Sequence, residues 1–261
     1  MKLVVKIGGA ALENKATLSA CARALVELAQ SGHRVAVVHG GGSALTRTLK
    51  SLGKESNFVN GLRVTDAETR DAALMVLSGL VNKNLVAAIA STGQAAVGLC
   101  GGDGLTFRAR KKKTPDCDLG YVGEIVSADA RWLEAIWAQS AIPVIASLAL
   151  GNDGEYYNIN ADQMASACAI ACSANALIFL TDVPGVKGAD GAVMQWLHLT
   201  QVPELVRDSV IAGGMLPKLE ACEQALHNGV GRVRILPAQE AYQLPQFGFS
   251  KLECGTEVVV A

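Results

Sequence analysis

The sequence predicts an α/β fold built on a mainly parallel sheet. Strand-like and helix-like segments alternate along most of the chain, the order that βαβ units produce. Several strand-like segments are almost continuously apolar, as strands covered on both faces must be. The first two run straight into glycine-rich turns, Gly8-Gly9 and Gly40-Gly41-Gly42. Two such turns at adjacent strand ends make two walls of one crevice, where open α/β sheets bind ligands.

Residues 2–7 form the first strand, and Lys6 is the anomaly within it. Burying its ammonium unpaired would cost several kcal/mol. Either the long stem carries the charge out to water, or a phosphate lies against Lys6 and the amides of the glycine turn. A helix over 14–31 follows, with Leu18, Cys21, Leu25 and Leu28 at helical spacing and Gly32 as its stop. Residues 34–39 are the second strand, His39 reads as a turn residue, and 44–52 form the next helix. Asn60-Gly61 marks a hairpin within 58–65. Arg63 there is either a surface arginine or a fork for a carboxylate. A long apolar helix over 65–91 carries Leu74, Leu77, Val81, Leu85 and Ile89 along one side, and Gly79 is placed to bend or divide it. Such a helix is core or a subunit contact.

A third strand starting at 94–98 turns at 100–104, and the basic run 108–113 lacks interleaved aromatics, so it reads as a solvated hairpin. Residues 143–148 are a buried strand, and 151–157 a turn-rich link to Asn158-Ile159-Asn160-Ala161-Asp162. These polar residues open an alanine-rich helix, as caps or as groups that orient a substrate. The strand over 176–180 ends in Thr181-Asp182-Val183-Pro184-Gly185, and 188–193 form a turn. A helix over 202–209 precedes Gly213-Gly214-Met215-Leu216-Pro217-Lys218, which opens a helix over 219–228. Strands at 232–236 and 256–260 end the order.

Composition narrows the function. Half of the 261 residues are apolar, 18% are charged, and the net charge is −1. That permits a sizeable core and gives no field for nucleic acid or an anionic membrane. Neither glycine turn is a dinucleotide fingerprint, and no Walker loop occurs. Residues 164–180 are interrupted by Cys172-Ser173-Ala174-Asn175 and fall short of the roughly 20 apolar residues of a membrane span. A strand at the very start leaves no room for a signal peptide, so a cytoplasmic protein is expected. Seven cysteines, none in a C-x-x-C pair, read as reduced core thiols rather than metal ligands; Cys168 and Cys172, four apart, are included.

Seven ordered stretches run the length of the chain: Lys6-Ile7-Gly8-Gly9, His39-Gly40-Gly41-Gly42, Asn60-Gly61-Leu62-Arg63-Val64-Thr65, Leu119-Gly120-Tyr121-Val122-Gly123, Asn158-Ile159-Asn160-Ala161-Asp162, Thr181-Asp182-Val183-Pro184-Gly185 and Gly213-Gly214-Met215-Leu216-Pro217-Lys218. Together they resemble the amino-acid kinase family, in its acetylglutamate kinase branch. The resemblance implies a three-layer αβα sandwich of the carbamate kinase-like type. Residues 1–172 would be a lobe for acceptor binding and dimerisation and 173–261 a nucleotide lobe, on one continuous sheet. It implies phosphorylation of the γ-carboxylate of N-acetyl-L-glutamate by ATP, for arginine biosynthesis. Mg²⁺ would ride on the nucleotide, and the protein would have no metal site of its own. By this similarity Lys6 meets the transferring group from the acceptor side, Lys218 from the nucleotide side, and Asp162 holds both ammonium groups. Gly8, Gly9 and Gly41 would offer amides to phosphoryl oxygens. Gly41, Gly42, Arg63, Asn158 and Asn160 would bind the acceptor, Arg63 through its α-carboxylate. Thr181, Asp182, Val183, Gly185 and Lys187, with Gly213, Gly214 and Met215, would border the nucleotide. The extra N-terminal helix of arginine-inhibited hexamers has no counterpart, so an arginine-insensitive homodimer is expected.

Phosphoryl transfer needs alignment and charge stabilisation, which lysines and amides supply. An ionised carboxylate needs no general base, consistent with the lack of a poised histidine. A related kinase acting on a carrier-linked aminoadipate or glutamate is the near alternative, and Arg63 with Asn158-Ile159-Asn160 favours the acetylglutamate form. A non-catalytic sensor on the same fold is the other, and it would have no need of Lys6, Asp162 and Lys218. A nicotinamide-dependent enzyme lacks its fingerprint here.

Overall fold

The computed structural model describes residues 1–115, 117–246 and 254–260. From the start the chain forms β1 (Lys2–Ile7), α1 (Gly9–Glu13), α2 (Lys15–Gln30), β2 (Arg34–His39) and α3 (Gly42–Ser51). The hairpin β3 (Phe58–Val59) and β4 (Leu62–Arg63) leads to α4 (Ala67–Ala73), a π-helical segment (Leu74–Val81), α5 (Asn82–Ala90) and β5 (Ala96–Cys100). Next come β6 (Phe107–Lys111), β7 (Val122–Ala128), α6 (Arg131–Ala138), β8 (Ile142–Ala146), β9 (Leu148–Gly151), β10 (Tyr156–Ile159) and α7 (Ala161–Ala171). The rest is β11 (Ala176–Thr181), β12 (Trp196–His198), α8 (Val202–Arg207), α9 (Met215–His227), β13 (Val233–Pro237) and β14 (Thr256–Val259).

One 8-stranded sheet, ordered β12-β14-β13-β11-β1-β2-β8-β5, organises the molecule, and it runs unbroken past residue 172. All its pairings are parallel except β13 with β14. β1 lies between β11 and β2, which is why Leu3 to Ile7 are apolar apart from Lys6. Alternation along β1 sends Leu3, Val5 and Ile7 into the core beneath α2 and α5. Val4 goes to the opposite core with α7 and α9, and Lys6 follows on that same face. The helices on both faces make the three layers expected.

Several boundaries moved. The 14–31 helix is α2, with the Asn14 side chain accepting from Thr17 N at 3.0 Å. Gly9 opens the short helix α1, so the turn between β1 and that helix is made by extended Gly8 alone. Gly79 does not end the long helix, but it lies within the segment that departs from α geometry. Helical bonding continues from residue 67 to 90 and widens to π register over 74–81. These 24 residues are long and apolar enough to cross a bilayer by length and composition alone. Here Leu77, Val81, Leu85 and Ile89 are buried against the rest of the fold. The expected turn-rich link over 151–157 holds at residues 152–155, while Gly151 ends β9 and Tyr156 and Tyr157 open β10; these two strands pair antiparallel and close a small barrel with β6 and β7. The basic run lies in the β6–β7 hairpin, where Arg110 pairs with Glu124 and Lys111 with Asp118 at the surface. His39 is no turn residue, being the fully buried last residue of β2. No disulfide joins the described cysteines, and five of them are buried.

Candidate active site

Three charged side chains converge at the C-terminal edge of the sheet. Lys6 comes from the end of β1, Asp162 from the first turn of α7 and Lys218 from the first turn of α9. Lys6 Nζ lies 2.9 Å from Asp162 Oδ1, and Lys218 Nζ lies 2.9 Å from Asp162 Oδ2. Their side chains are 11%, 10% and 7% exposed for Lys6, Asp162 and Lys218. The Lys218 ammonium also stands 5.0 Å above the Phe179 ring, a contact that favours a cation. Burial alone would raise the Asp162 carboxyl, but Lys6 and Lys218 outweigh it and hold the group below its ordinary value. Lys218 is drawn below its ordinary value by burial and by the charge of Lys6, against the pull of Asp162. Two ammonium groups around one carboxylate leave the cluster positive, which suits an anion arriving from solvent.

Two clefts meet here. The larger, about 560 Å³, is lined by Lys6, Gly8, Gly9, Thr181, Asp182, Val183, Gly214, Met215 and Lys218 among others. The smaller, about 160 Å³, is lined by Gly41, Gly42, Arg63, Asn158 and Asn160, with Phe58, Leu62 and Ser147. Gly42 lines both. A Cβ on Gly9 would stand 3.3 Å from Gly42 N and 3.4 Å from Gly41 N, so the two glycine turns face each other at close range and a side chain there would crowd the backbone. Gly8 differs from its neighbour, because its amide donates to Leu180 O at 2.9 Å and is already committed.

Arg63 is buried, not a surface residue. It donates to Gly42 O at 2.9 Å, to Thr46 Oγ1 at 2.7 Å and to Ser56 Oγ, and lies 4.6 Å over the Phe58 ring. Among the described residues no carboxylate lies within ion-pair distance of it, so its charge has only neutral partners. Asn158 donates to Thr65 Oγ1 at 3.3 Å. Asn160 is the N-cap of α7: its Oδ1 accepts from Asp162 N at 2.8 Å and Gln163 N at 3.2 Å. That cap holds Asp162 at the helix start.

Three sequence-predicted residues lie off the cleft walls. Gly185 is pressed against Val193 and Thr256, Lys187 bridges to Val193, and Gly213 sets the left-handed turn before Gly214. Thr46, Ser56 and Phe179 were not foreseen. A lone hydroxyl or phenyl at those positions carries no sequence signal, since only folding puts them beside Arg63 and Lys218.

The family model for the Amino acid kinase family matches residues 1–237. The chain belongs to the amino acid kinase family. As a family member it is 67% identical over 261 residues to an acetylglutamate kinase of Acidobacterium capsulatum, covering 100% of both chains. It is 58% identical to the acetylglutamate kinase of Koribacter versatilis, covering 99% of both. A solved structure of a Streptococcus mutans protein superposes with a TM-score of 0.84 at 30% identity, covering 100% of this chain and 99% of that one. The carbamate kinase-like α/β architecture of the family is the one described above.

Proposed function

We propose that this enzyme transfers the γ-phosphoryl group of ATP to the γ-carboxylate of N-acetyl-L-glutamate, giving ADP and an acyl phosphate. The observation that carries the reading is the buried Lys6–Asp162–Lys218 cluster, whose two lysines line the larger cleft, which shares Gly42 with the smaller one. The acceptor lies in the smaller cleft with its α-carboxylate on Arg63, whose buried charge has no carboxylate of its own among the described residues. The nucleotide lies in the larger cleft along Gly9, Thr181 to Val183, and Gly214 to Lys218. An acceptor carboxylate oxygen bonds to the γ-phosphorus as the bond to the ADP oxygen breaks. Lys6 and Lys218 flank the equatorial oxygens, where the charge is spread. Asp162 keeps both lysines aligned without touching the reacting atoms.

The described residues contain no group of three or more His, Cys, Asp or Glu able to hold a metal. A divalent ion would enter with the nucleotide phosphates, where it would neutralise charge. The reading includes a cytoplasmic homodimer. Exposed Met75 and Leu80 on the long helix support a subunit contact, and sizing chromatography tests it.

The test is ADP release with Mg-ATP, comparing N-acetyl-L-glutamate, L-glutamate, aspartate and N-acetyl-aminoadipate, with hydroxylamine trapping the acyl phosphate. Turnover and hydroxamate formation on acetylglutamate alone are expected. Turnover only on another acceptor would overturn the acceptor assignment, and ATP binding without turnover on any acceptor would overturn the reaction.

A further inference from the structure

The reaction leaves one fully buried histidine without a role. His39 Nδ1 lies 2.7 Å from Gly40 O, and its Nε2 lies 3.0 Å from Asn82 Nδ2. A carbonyl oxygen can only accept, so Nδ1 carries the proton and Nε2 accepts from Asn82. The Asn82 amide agrees with that tautomer. Its Nδ2 also donates to Val144 O at 2.9 Å, and its Oδ1 accepts from Lys83 Nζ at 3.3 Å. Both Asn82 hydrogens are placed. Burial, aided by the charge on Lys6 and opposed by the Gly40 bond, pushes the His39 pKa down to about 4. The ring is therefore neutral near pH 7.

The Gly40 carbonyl and the Gly41 amide belong to one trans peptide, in which C=O and N–H point in opposite directions. Holding the carbonyl on the His39 ring therefore aims the Gly41 N–H the other way. Among the described residues that N–H donates to no backbone carbonyl. Its nitrogen faces Gly9 across the crevice where the two clefts meet. On the far side Gly41 is backed by the π segment: a Cβ there would stand 2.6 Å from Leu77 Cδ2 and 3.2 Å from Val81 Cγ2. Asn82 is the next residue after that segment. The widened register thus lets one helix press Leu77 and Val81 on Gly41 while it sets Asn82 against His39, and π segments recur at functional sites for such reasons.

We propose that His39 is a positioning residue for phosphoryl transfer: its Nδ1–H fixes the Gly40–Gly41 peptide so that the Gly41 amide faces the transferring group, and Asn82 fixes the ring. This rests on the phosphoryl-transfer reading above, so the wild-type enzyme is first shown to turn over acetylglutamate. If it does not, that reading fails and the role of His39 falls with it.

Given an active wild type, two isosteric variants separate positioning from packing. In His39→Asn the side-chain amide nitrogen occupies the place of Nδ1 and keeps the bond to Gly40 O. In His39→Gln the amide nitrogen corresponds to Nε2 and that bond is lost. His39→Gln is expected to lower kcat on the order of 100-fold, the scale for one preorganised amide donor, with the KM of both substrates within about threefold. His39→Asn is expected to recover kcat to within about fivefold of wild type. Thermal unfolding of both variants is recorded alongside. Equal kcat in the two variants, or kcat that follows only their stability, would overturn the proposal. Should either fail to fold, Asn82→Ala decides: a kcat loss of about tenfold at unchanged KM supports it, and unchanged kcat overturns it.

Discussion

Replacing Asp162 by Asn removes the one negative charge between two buried ammonium groups. At the 2.9 Å separations seen, each ion pair is worth about 6 kcal/mol with an effective dielectric near 20. Desolvation of the carboxylate offsets several kcal/mol of that. The lysines have already lost their water, however, and they keep that cost in the variant along with their mutual repulsion. A net loss of about 3–5 kcal/mol follows, the range for breaking a buried pair by deleting one partner. For a chain of this size that lowers the Tm by roughly 6–20 °C. The assay is thermal unfolding by circular dichroism without nucleotide, at low salt, then again with Mg-ATP. Because the phosphates then become the only counter-charge to Lys6 and Lys218, ATP should raise the Tm of the variant more than that of wild type. Turnover should fall by about 100-fold or more as the lysines lose alignment. A nucleotide-free Tm within about 2 °C of wild type would refute the claim that this carboxylate holds the cluster together.

The remaining expectations concern the same site. Lys6→Ala and Lys218→Ala should each cut kcat by about 10²–10³-fold while far-UV circular dichroism stays native, since each removes a charge aimed at the transferring group. Near-normal turnover in either would remove that lysine from the mechanism. Arg63→Lys should raise the acceptor KM about 10–100-fold with a smaller change in kcat, because an ammonium lacks the planar fork that bonds Gly42 O, Thr46 and a carboxylate together. An unchanged acceptor KM would contradict the assignment. Stability should also depend on pH through His39, whose folded pKa is pushed from 6.5 to about 4 by burial. Between these values the unfolded chain binds more protons, so stability is full above pH 6.5 and falls as pH drops toward 4, by about 3 kcal/mol. Urea midpoints at pH 7 and pH 4.5 measure it, and the difference should shrink in His39→Asn. Asp162 acts lower, because its folded pKa is depressed: its contribution is present above about pH 4 and lost as pH falls further.

Much of the frame was legible because it is written in local periodicity. β1, β2 and β11 are short apolar runs, α2 carries a 3.6-residue apolar stripe, and Gly8, Asn14, Gly32, Gly40 and Asn175 punctuate many of their boundaries. The signals that misled were equally local. Gly79 is a weak helix former, yet the helix passes through it because apolar neighbours such as Leu77 and Val81 are held by burial on either side. Residues 152–155 are the turn their composition suggests, and only the flanking Gly151, Tyr156 and Tyr157 join strands, because β6 and β7 offer β9 and β10 hydrogen-bonding edges. His39 sits beside three glycines, so nothing near it announces a buried ring bonded to Asn82.

The sequence by itself determined the alternation of strands and helices, the two glycine turns, and the anomaly of a lysine inside a central strand. Each of these depends on neighbours within a few residues. Only the tertiary structure decided that Asp162 and Lys218 come to meet Lys6, that Arg63 is buried with neutral partners, and that Asn82 reaches His39. Those meetings join residues far apart in the chain. They are set by the strand order of the sheet and the packing of α7, α9 and the π segment upon it, which no local pattern encodes.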